Sequence, residues 1–200
     1  MKKILNIISS PRGAESNSIR LAEALIGKLT AQHPDSNVKT VDLVKTKFPH
    51  LEEAQLAGFF TPPDQHTEEH REAIRHSEEA IRDVFDSDIL VIGVPMYNFS
   101  LPSALKAWID HIVRAGKTFS YSEKGPAALV DGKKVYLLIA SGGVYSDGPW
   151  KQNDFVEPYL RFILGFIGMT DVTTIRVEGL SVPGLKETAL EKAIAGIHLN

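Results

Sequence analysis

Cysteine is absent from the 200 residues, which excludes disulfides, thiolate nucleophiles, iron–sulfur ligation and redox dithiols together. Any electron transfer must then rest on a bound organic cofactor. Long apolar runs are missing too: no stretch approaches the roughly 20 residues that cross a bilayer. The start MKKILNIISSPRG has neither a long apolar region nor a small-residue cleavage site. A soluble, cytoplasmic chain without membrane contact is expected. Nor does one sign of charge dominate. Lys and Arg number 22 against 25 Asp and Glu, giving a net charge of −3, and basic residues such as Lys133 and Lys134 come only in pairs. That offers no footprint for nucleic acid.

What is present is enough apolar residue, 43% of the chain, to fill a full core. A single domain over residues 1–200 is expected. Short β-branched runs alternate with stretches of helical period, the pattern of parallel strands joined by helical crossovers. Strands are predicted at Ile4 to Ile8, Val38 to Leu43, Ile89 to Val94, Val135 to Ile139 and Val172 to Val177. Leu21, Ala22, Leu25, Ile26 and Leu29 form an apolar stripe at helix spacing, opened by Ser16 or Asn17 as N-cap. Leu101, Leu105, Trp108, Ile109 and Ile112 form another, with Pro102 in its first turn. Two regions interrupt the rhythm. Residues 48–86 read as an elaborated crossover ending in a charged helix with Ile74, Ser77, Ile81, Val84 and Phe85 inward, and residues 117–132 as a hairpin-like excursion. The expected fold is α/β, an open doubly wound sheet of five parallel strands with helices on both faces.

In such sheets ligands bind beyond the carboxyl ends of the strands, which singles out three loops. SSPRGAESNS, after the first strand, runs into a helix start, where free amides and the helix dipole favour an anion, and Ser10, Ser16, Asn17 and Ser18 add donors. It has neither the lysine of a P-loop nor GxGxxG, so it suits a terminal phosphate monoester better than a triphosphate or pyrophosphate. The same residues also serve a plain turn and helix cap. PMYNFS, after the third strand, is apolar and aromatic where a polar turn is expected: Pro95, Met96, Tyr97 and Phe99 can pack on a flat ring and Asn98 can bond its polar edge, or they cover the sheet end. ASGGVYSDG, after the fourth strand, brings Ala140, Ser141, Gly142, Gly143 and Tyr145 to the same edge; the glycines let amides approach a ligand or make a tight turn.

Together with PMYNFSLPSALKAWIDHIVRAGKTF, SGGVYSDGP and PYLRFILGFIGMTDV, these loops resemble the FMN-dependent NADH azoreductases, also described as NADH:quinone oxidoreductases, over nearly the whole chain. The resemblance implies non-covalent FMN, with phosphate at Ser10 and Ser16 to Ser18, ring contacts at Met96 to Phe99, and the polar ring edge at Ala140 to Gly143. It implies a homodimer with flavins near the subunit interface, and NAD(P)H, NADH favoured, as donor to quinones and aromatic azo compounds. With one crevice for both substrates, a two-electron ping-pong cycle is expected, with the chemistry on the flavin and no side-chain catalyst. Tyr121 and Phe162 are candidate acceptor-pocket aromatics. Departures from the family pattern are Ala140 and Ser141, where some relatives carry a hydroxyl residue followed by Arg, and Tyr145, where some carry His. Two rival readings are weaker. A one-electron carrier docks through strongly charged surfaces, which this composition lacks. His66, Glu69 and His70 fit an HxxEH zinc pattern, but with no third ligand in view no metal is expected.

Overall fold

The computed structural model describes residues 1–199. Strands β1 (Lys3–Ile8) and β2 (Asn37–Asp42) are joined by helix α1 (Asn17–Gln32). Helices α2 (Leu43–Thr46), α3 (Glu53–Phe60) and α4 (Glu68–Asp86) then lead to β3 (Ile89–Pro95) and α5 (Ser103–Ile112). After these come β4 (Phe119–Ser122), β5 (Gly125–Ala128), β6 (Lys134–Ala140), α6 (Glu157–Ile167), β7 (Asp171–Val177) and α7 (Ala189–Ala195). The five long strands form one sheet in the order β2-β1-β3-β6-β7, every pair parallel. The chain leaves β1 toward β2 and returns to its other side as β3, so the order reverses at β1.

Alternation along the strands divides the core into two layers. Leu5, Ile7, Leu90, Ile92, Leu137 and Ile139 face α4, α5 and α6, while Ile4, Val91, Tyr136 and Leu138 face α1 and α7. β3 is buried along all its residues, as expected for a central strand covered on both faces. Trp108 of α5 is 1% exposed and is among the largest fully buried side chains.

The predicted strands are present, with ends moved by a residue or two. Leu43 is the informative exception: the Asp42 carboxylate accepts from the Val44 amide at 3.1 Å, so β2 stops there and buried Leu43 opens α2. Pro102 lies one residue before α5, as its N-cap, and the expected hairpin is β4 paired antiparallel with β5. Phe85 departs from the inward stripe of α4. It is 41% exposed, because it sits at the margin of the stripe in the last turn, whereas Ile74, Ser77, Ile81 and Val84 point into the core. The crossover before α4 is pinned from below. His111 Nε2 donates to the Pro49 carbonyl at 3.0 Å, and Arg114, 5% exposed, pairs with Glu78 at 2.8 Å while lying 4.2 Å over the Phe59 ring. Burial lowers the His111 pKa, which keeps the imidazole neutral in this apolar setting.

α6 ends at Gly168, which adopts a φ of 113° and would direct any Cβ into the Val130 carbonyl. Val130 also donates to Ile167 there at 3.0 Å, tying the hairpin exit to the helix end. Gly168→Ala is expected to cost about 2–4 kcal/mol from the strained backbone and the collision together. A lower urea midpoint at unchanged slope would register the loss.

Candidate functional site

The carboxyl ends of β1, β3 and β6 open onto a crevice of about 590 Å³. Its walls include Ser10, Ser16 and Asn17 from the first loop, Pro95, Met96 and Tyr97 from the second, and Ala140, Ser141 and Gly142 from the third. Three segments separated by dozens of residues therefore meet because β1, β3 and β6 are neighbours in register, Gly93 lying opposite Ile8 on one side and Leu138 on the other.

The first loop is more specialised than its hydroxyl content suggests. Ser9 donates to the Gly93 carbonyl at 2.7 Å and is spent on tying β1 to β3. Ser10 accepts from the Arg12 amide at 3.3 Å. Ser16 is the N-cap of α1, yet its side chain caps no amide; it pairs instead with the Ser18 hydroxyl at 3.0 Å. Both hydroxyls are buried, and the helix start keeps its first-turn donors free of a capping side chain.

The second loop is strained. Asn98 and Phe99 have φ of 50° and 66°, and the Tyr97 and Ser100 amides and carbonyls exchange two hydrogen bonds of 3.0 Å across them. That is the pattern of a type I′ turn, which asparagine accepts and phenylalanine resists. Its result is to hold the Tyr97 and Phe99 rings outward, 38% and 44% exposed. Asn98 faces a neighbouring cavity of about 610 Å³ that also holds Ser9, Lys47, Phe48 and His50, and Tyr97 is shared by both spaces.

The glycine pair of the third loop has a use inside the protein. A Cβ on Gly142 would come 2.8 Å from the Ser181 hydroxyl, and one on Gly143 would meet the Tyr145 ring at 3.1 Å. Ser141 turns its own hydroxyl back to the Gly143 carbonyl at 3.0 Å. Among the described residues the Gly142 and Gly143 amides find no backbone or side-chain acceptor. Tyr145 stands edge-on to Phe99, centroids 6.1 Å apart, and both border a third cavity of about 550 Å³ with Val144, Pro149 and Trp150.

Residues beyond the three loops complete the crevice. The segment after β7 contributes Leu180, Ser181 and Lys186, α7 contributes Leu190 and Glu191, and α1 adds Arg20 beside Arg12. The strand-end rule applies to the fifth strand as well, and that was the available signal for Leu180 and Ser181; α7, which follows a turn-rich stretch, gave none. Tyr121 and Phe162 are not brought to the crevice within one chain. They are 74% and 70% exposed, Tyr121 edge-on to Phe119 of the hairpin and Phe162 on the outer side of α6. His66 shares its Nε2 with the Gly58 and Thr61 carbonyls, at 3.0 and 2.9 Å. Among the described residues no group of three or more His, Asp or Glu side chains is placed to hold a metal, and no helix is long and apolar enough to cross a membrane.

Beside the third cavity lies a charged cluster at the end of β7. Arg176 pairs with Asp154 and Glu157 and lies 3.4 Å from Glu178. Burial pushes the Glu157 carboxyl up, but hydrogen bonds from Thr174, Arg176 and Arg161 outweigh it and hold the pKa at about 2.

A family model described as flavodoxin-like fold matches residues 2–199. The chain is 50% identical over 182 residues to an FMN-dependent NADH:quinone oxidoreductase of Herminiimonas arsenicoxydans, covering 91% of this chain and 89% of that one. It is 45% identical over 193 residues to a protein of the same description from Beijerinckia indica, with 96% of each covered. Among solved structures, an azoreductase from Bacillus anthracis superposes with a TM-score of 0.87 at 32% identity, covering 98% of both chains. An FMN-dependent NADH-azoreductase from that organism, in complex with FMN, gives a TM-score of 0.86 at 25% identity over 98% of this chain and 95% of that one.

The charged cluster carries a pH prediction. A carboxylate whose folded pKa lies below its ordinary value of 4.5 adds stability above that value, and the contribution is lost as pH falls toward about 2. Melting temperatures should therefore fall between about pH 5 and about pH 3, and fall less steeply in Glu157→Gln, which has no proton to gain. Equal slopes in the two proteins would show that Glu157 does not supply this acid sensitivity.

Proposed function

The chain belongs to the FMN-dependent NADH:quinone oxidoreductase family of flavodoxin-like proteins, and on that premise we propose that the strand-end crevice holds FMN, phosphate at the start of α1 and ring between the loops after β3 and β6. The activity is that of the family: NADH-driven reduction of quinones and azo compounds. The observation that carries the placement is the buried Ser16–Ser18 hydroxyl pair at a helix start whose N-cap side chain serves no amide. A phosphate monoester gives both hydroxyls and the first-turn amides an acceptor, and the helix dipole favours its charge. Ser10 and Asn17 extend the donor set, and Arg12, Arg20 and Lys186 at the crevice wall lend positive charge.

For the ring, Pro95, Met96 and Tyr97 supply an apolar bed, and the Gly142 and Gly143 amides supply donors for its polar edge, with Ala140 and Ser141 shaping the loop that presents them. Asn98, Phe99 and Tyr145 border the spaces on either side. Held there by Pro95, Met96, Tyr97 and the Gly142 and Gly143 amides, FMN would supply two-electron transfer from NADH to a quinone or azo acceptor. The protein's share is binding, orientation and placement of amide dipoles; no side chain is required as nucleophile.

A single flavin face open to both NADH and the acceptor supports a ping-pong cycle, the two reaching it in turn. Residues 1–199 sharing one sheet and its two covering layers support a single domain. Exposed Phe60, Tyr121, Trp150, Phe155 and Phe162 support a homodimer in which a second copy covers apolar surface and uses Tyr121 and Phe162 at the acceptor side. A cytoplasmic location, where NADH is made, accords with this activity.

Two experiments test the reading. Ser16→Asp and Ser18→Asp should weaken FMN binding by about tenfold or more through like-charge repulsion while leaving riboflavin, which lacks the phosphate, little changed; equal losses for both flavins would move the phosphate elsewhere. Initial rates against NADH at several fixed quinone concentrations should give parallel double-reciprocal lines. Intersecting lines would replace the shared-face cycle with a ternary complex.

A further inference from the structure

Glu178, the residue after β7, is not part of the crevice wall, yet its carboxylate is almost wholly committed to one loop. Oε1 accepts from the Tyr145 amide at 2.8 Å and the Ser146 amide at 2.9 Å, and Oε2 accepts from the Ser146 hydroxyl at 2.5 Å. The Gly179 amide adds a bond to the Gly143 carbonyl at 3.0 Å. This side chain is 12% exposed, as is its neighbour Arg176. The loop held in this way is the one that carries Tyr145, Pro149 and Trp150 along one side of the 550 Å³ cavity.

Phe99, which Tyr145 meets edge-on, is held from the same cation. Arg176 pairs with Asp154, whose other oxygen accepts from the Val156 and Glu157 amides at 2.9 and 3.2 Å, fixing the start of α6. The intervening Phe155 amide donates to the Phe99 carbonyl at 3.3 Å, at the strained turn that presents the Phe99 ring. One partly buried guanidinium thus anchors both rings of this pair, Phe99 through Asp154 and Tyr145 through Glu178. Charge-assisted hydrogen bonds to successive amides resist displacement better than neutral ones, so the edge-on Phe99–Tyr145 pair keeps its place at the border of the cavity.

We propose that Glu178 is a positioning residue for electron-acceptor specificity, holding the Tyr145 wall so that the cavity between Phe99 and Trp150 takes a neutral, flat aromatic acceptor. The inference rests on the FMN reading above for the reaction, but acceptor binding can be read without turnover. Asp147, the one carboxylate bordering the cavity among the described residues, disfavours anionic acceptors. Because Glu178 touches the crevice only through the loop after β6, its loss should act on the acceptor and spare the flavin phosphate.

The test uses the FMN-loaded protein and a neutral naphthoquinone as probe. Trp150 borders the cavity and is 58% exposed, whereas the second tryptophan, Trp108, is 1% exposed, so quenching of tryptophan emission reports the quinone at Trp150. Wild type should show saturable quenching without NADH. Glu178→Ala should weaken quinone binding, and raise its KM, by about tenfold, the equivalent of roughly one lost hydrogen bond of this kind. Its FMN affinity and single-turnover reduction by NADH should stay within about twofold, the scatter expected of a change outside both contacts. Glu178→Gln should restore quinone binding, since its amide oxygen accepts from both backbone N–H groups. Glu178→Asp, which keeps the charge beside Arg176 but retracts from the loop, should behave as the alanine variant does and serves if alanine prevents folding. Unaltered quinone binding in Ala and Asp overturns the proposal, as does a glutamine variant as weak as alanine, or parallel losses of FMN and quinone. Saturable quenching in a protein that does not oxidise NADH would sink the functional reading while leaving the role of Glu178 standing.

Discussion

The parallel pairing of β3 with β1 on one side and β6 on the other is the constraint from which the rest follows. β3 is buried on both faces, so its backbone groups have no recourse to water and must all be met by its two neighbours. That fixes which strand ends lie side by side. The loops after β1, β3 and β6 are forced to one edge, and the reversal of strand order at β1 leaves a gap between them that no helix fills. Ser9 seals the junction by bonding across to Gly93, so even a loop hydroxyl is used to hold the edge in place.

Polar groups around the crevice fall into two kinds, and the division has chemical meaning. Some are satisfied internally and act as scaffold: Ser9, Ser141, Glu178 and the Asp154–Arg176 pair each have protein partners. Others are bonded only to each other or to nothing among the described residues, such as the buried Ser16 and Ser18 hydroxyls and the partly buried amides of Gly142 and Gly143. Buried donors without acceptors are costly in a finished core and are tolerated where a ligand completes them. A flavin with one terminal phosphate and one polar ring edge completes both sets. The strained turn at Asn98 and Phe99 belongs with them, since it buys no packing of its own and leaves two aromatic rings exposed at the mouth.

Much of the fold and the centre of the site are legible in the sequence, because both depend on local signals. Alternating β-branched runs and 3.6-residue stripes place each long strand and its helix, and the strand-end rule then names the loops that matter. Ser16 reads as a helix start from its position alone, and PMYNFS reads as unusual because aromatics replace turn residues. What the pattern misses depends on partners far along the chain. Phe85 fits the inward stripe of α4 by spacing, but its exposure depends on what packs against the last turn. Leu43 continues a β-like run, and only capping by Asp42 ends the strand before it.

The same distinction separates what each level decides about the protein. Composition and periodicity by themselves determine the doubly wound class, the absence of thiol chemistry and a phosphate-ready helix start, since these rest on residue type and near neighbours. Tertiary structure alone decides that Lys186, Leu190 and Arg20 border the crevice, that the glycine pair makes room for Ser181 and Tyr145, and that Tyr121 and Phe162 stand outside the crevice of their own chain. It also decides that one arginine on the last strand holds an edge-on pair of aromatic rings contributed by two other loops. The physical reason is the same in each case. Hydrogen bonding and steric exclusion at these positions depend mostly on residues tens of places apart, and no local pattern records which of them the sheet will bring within reach.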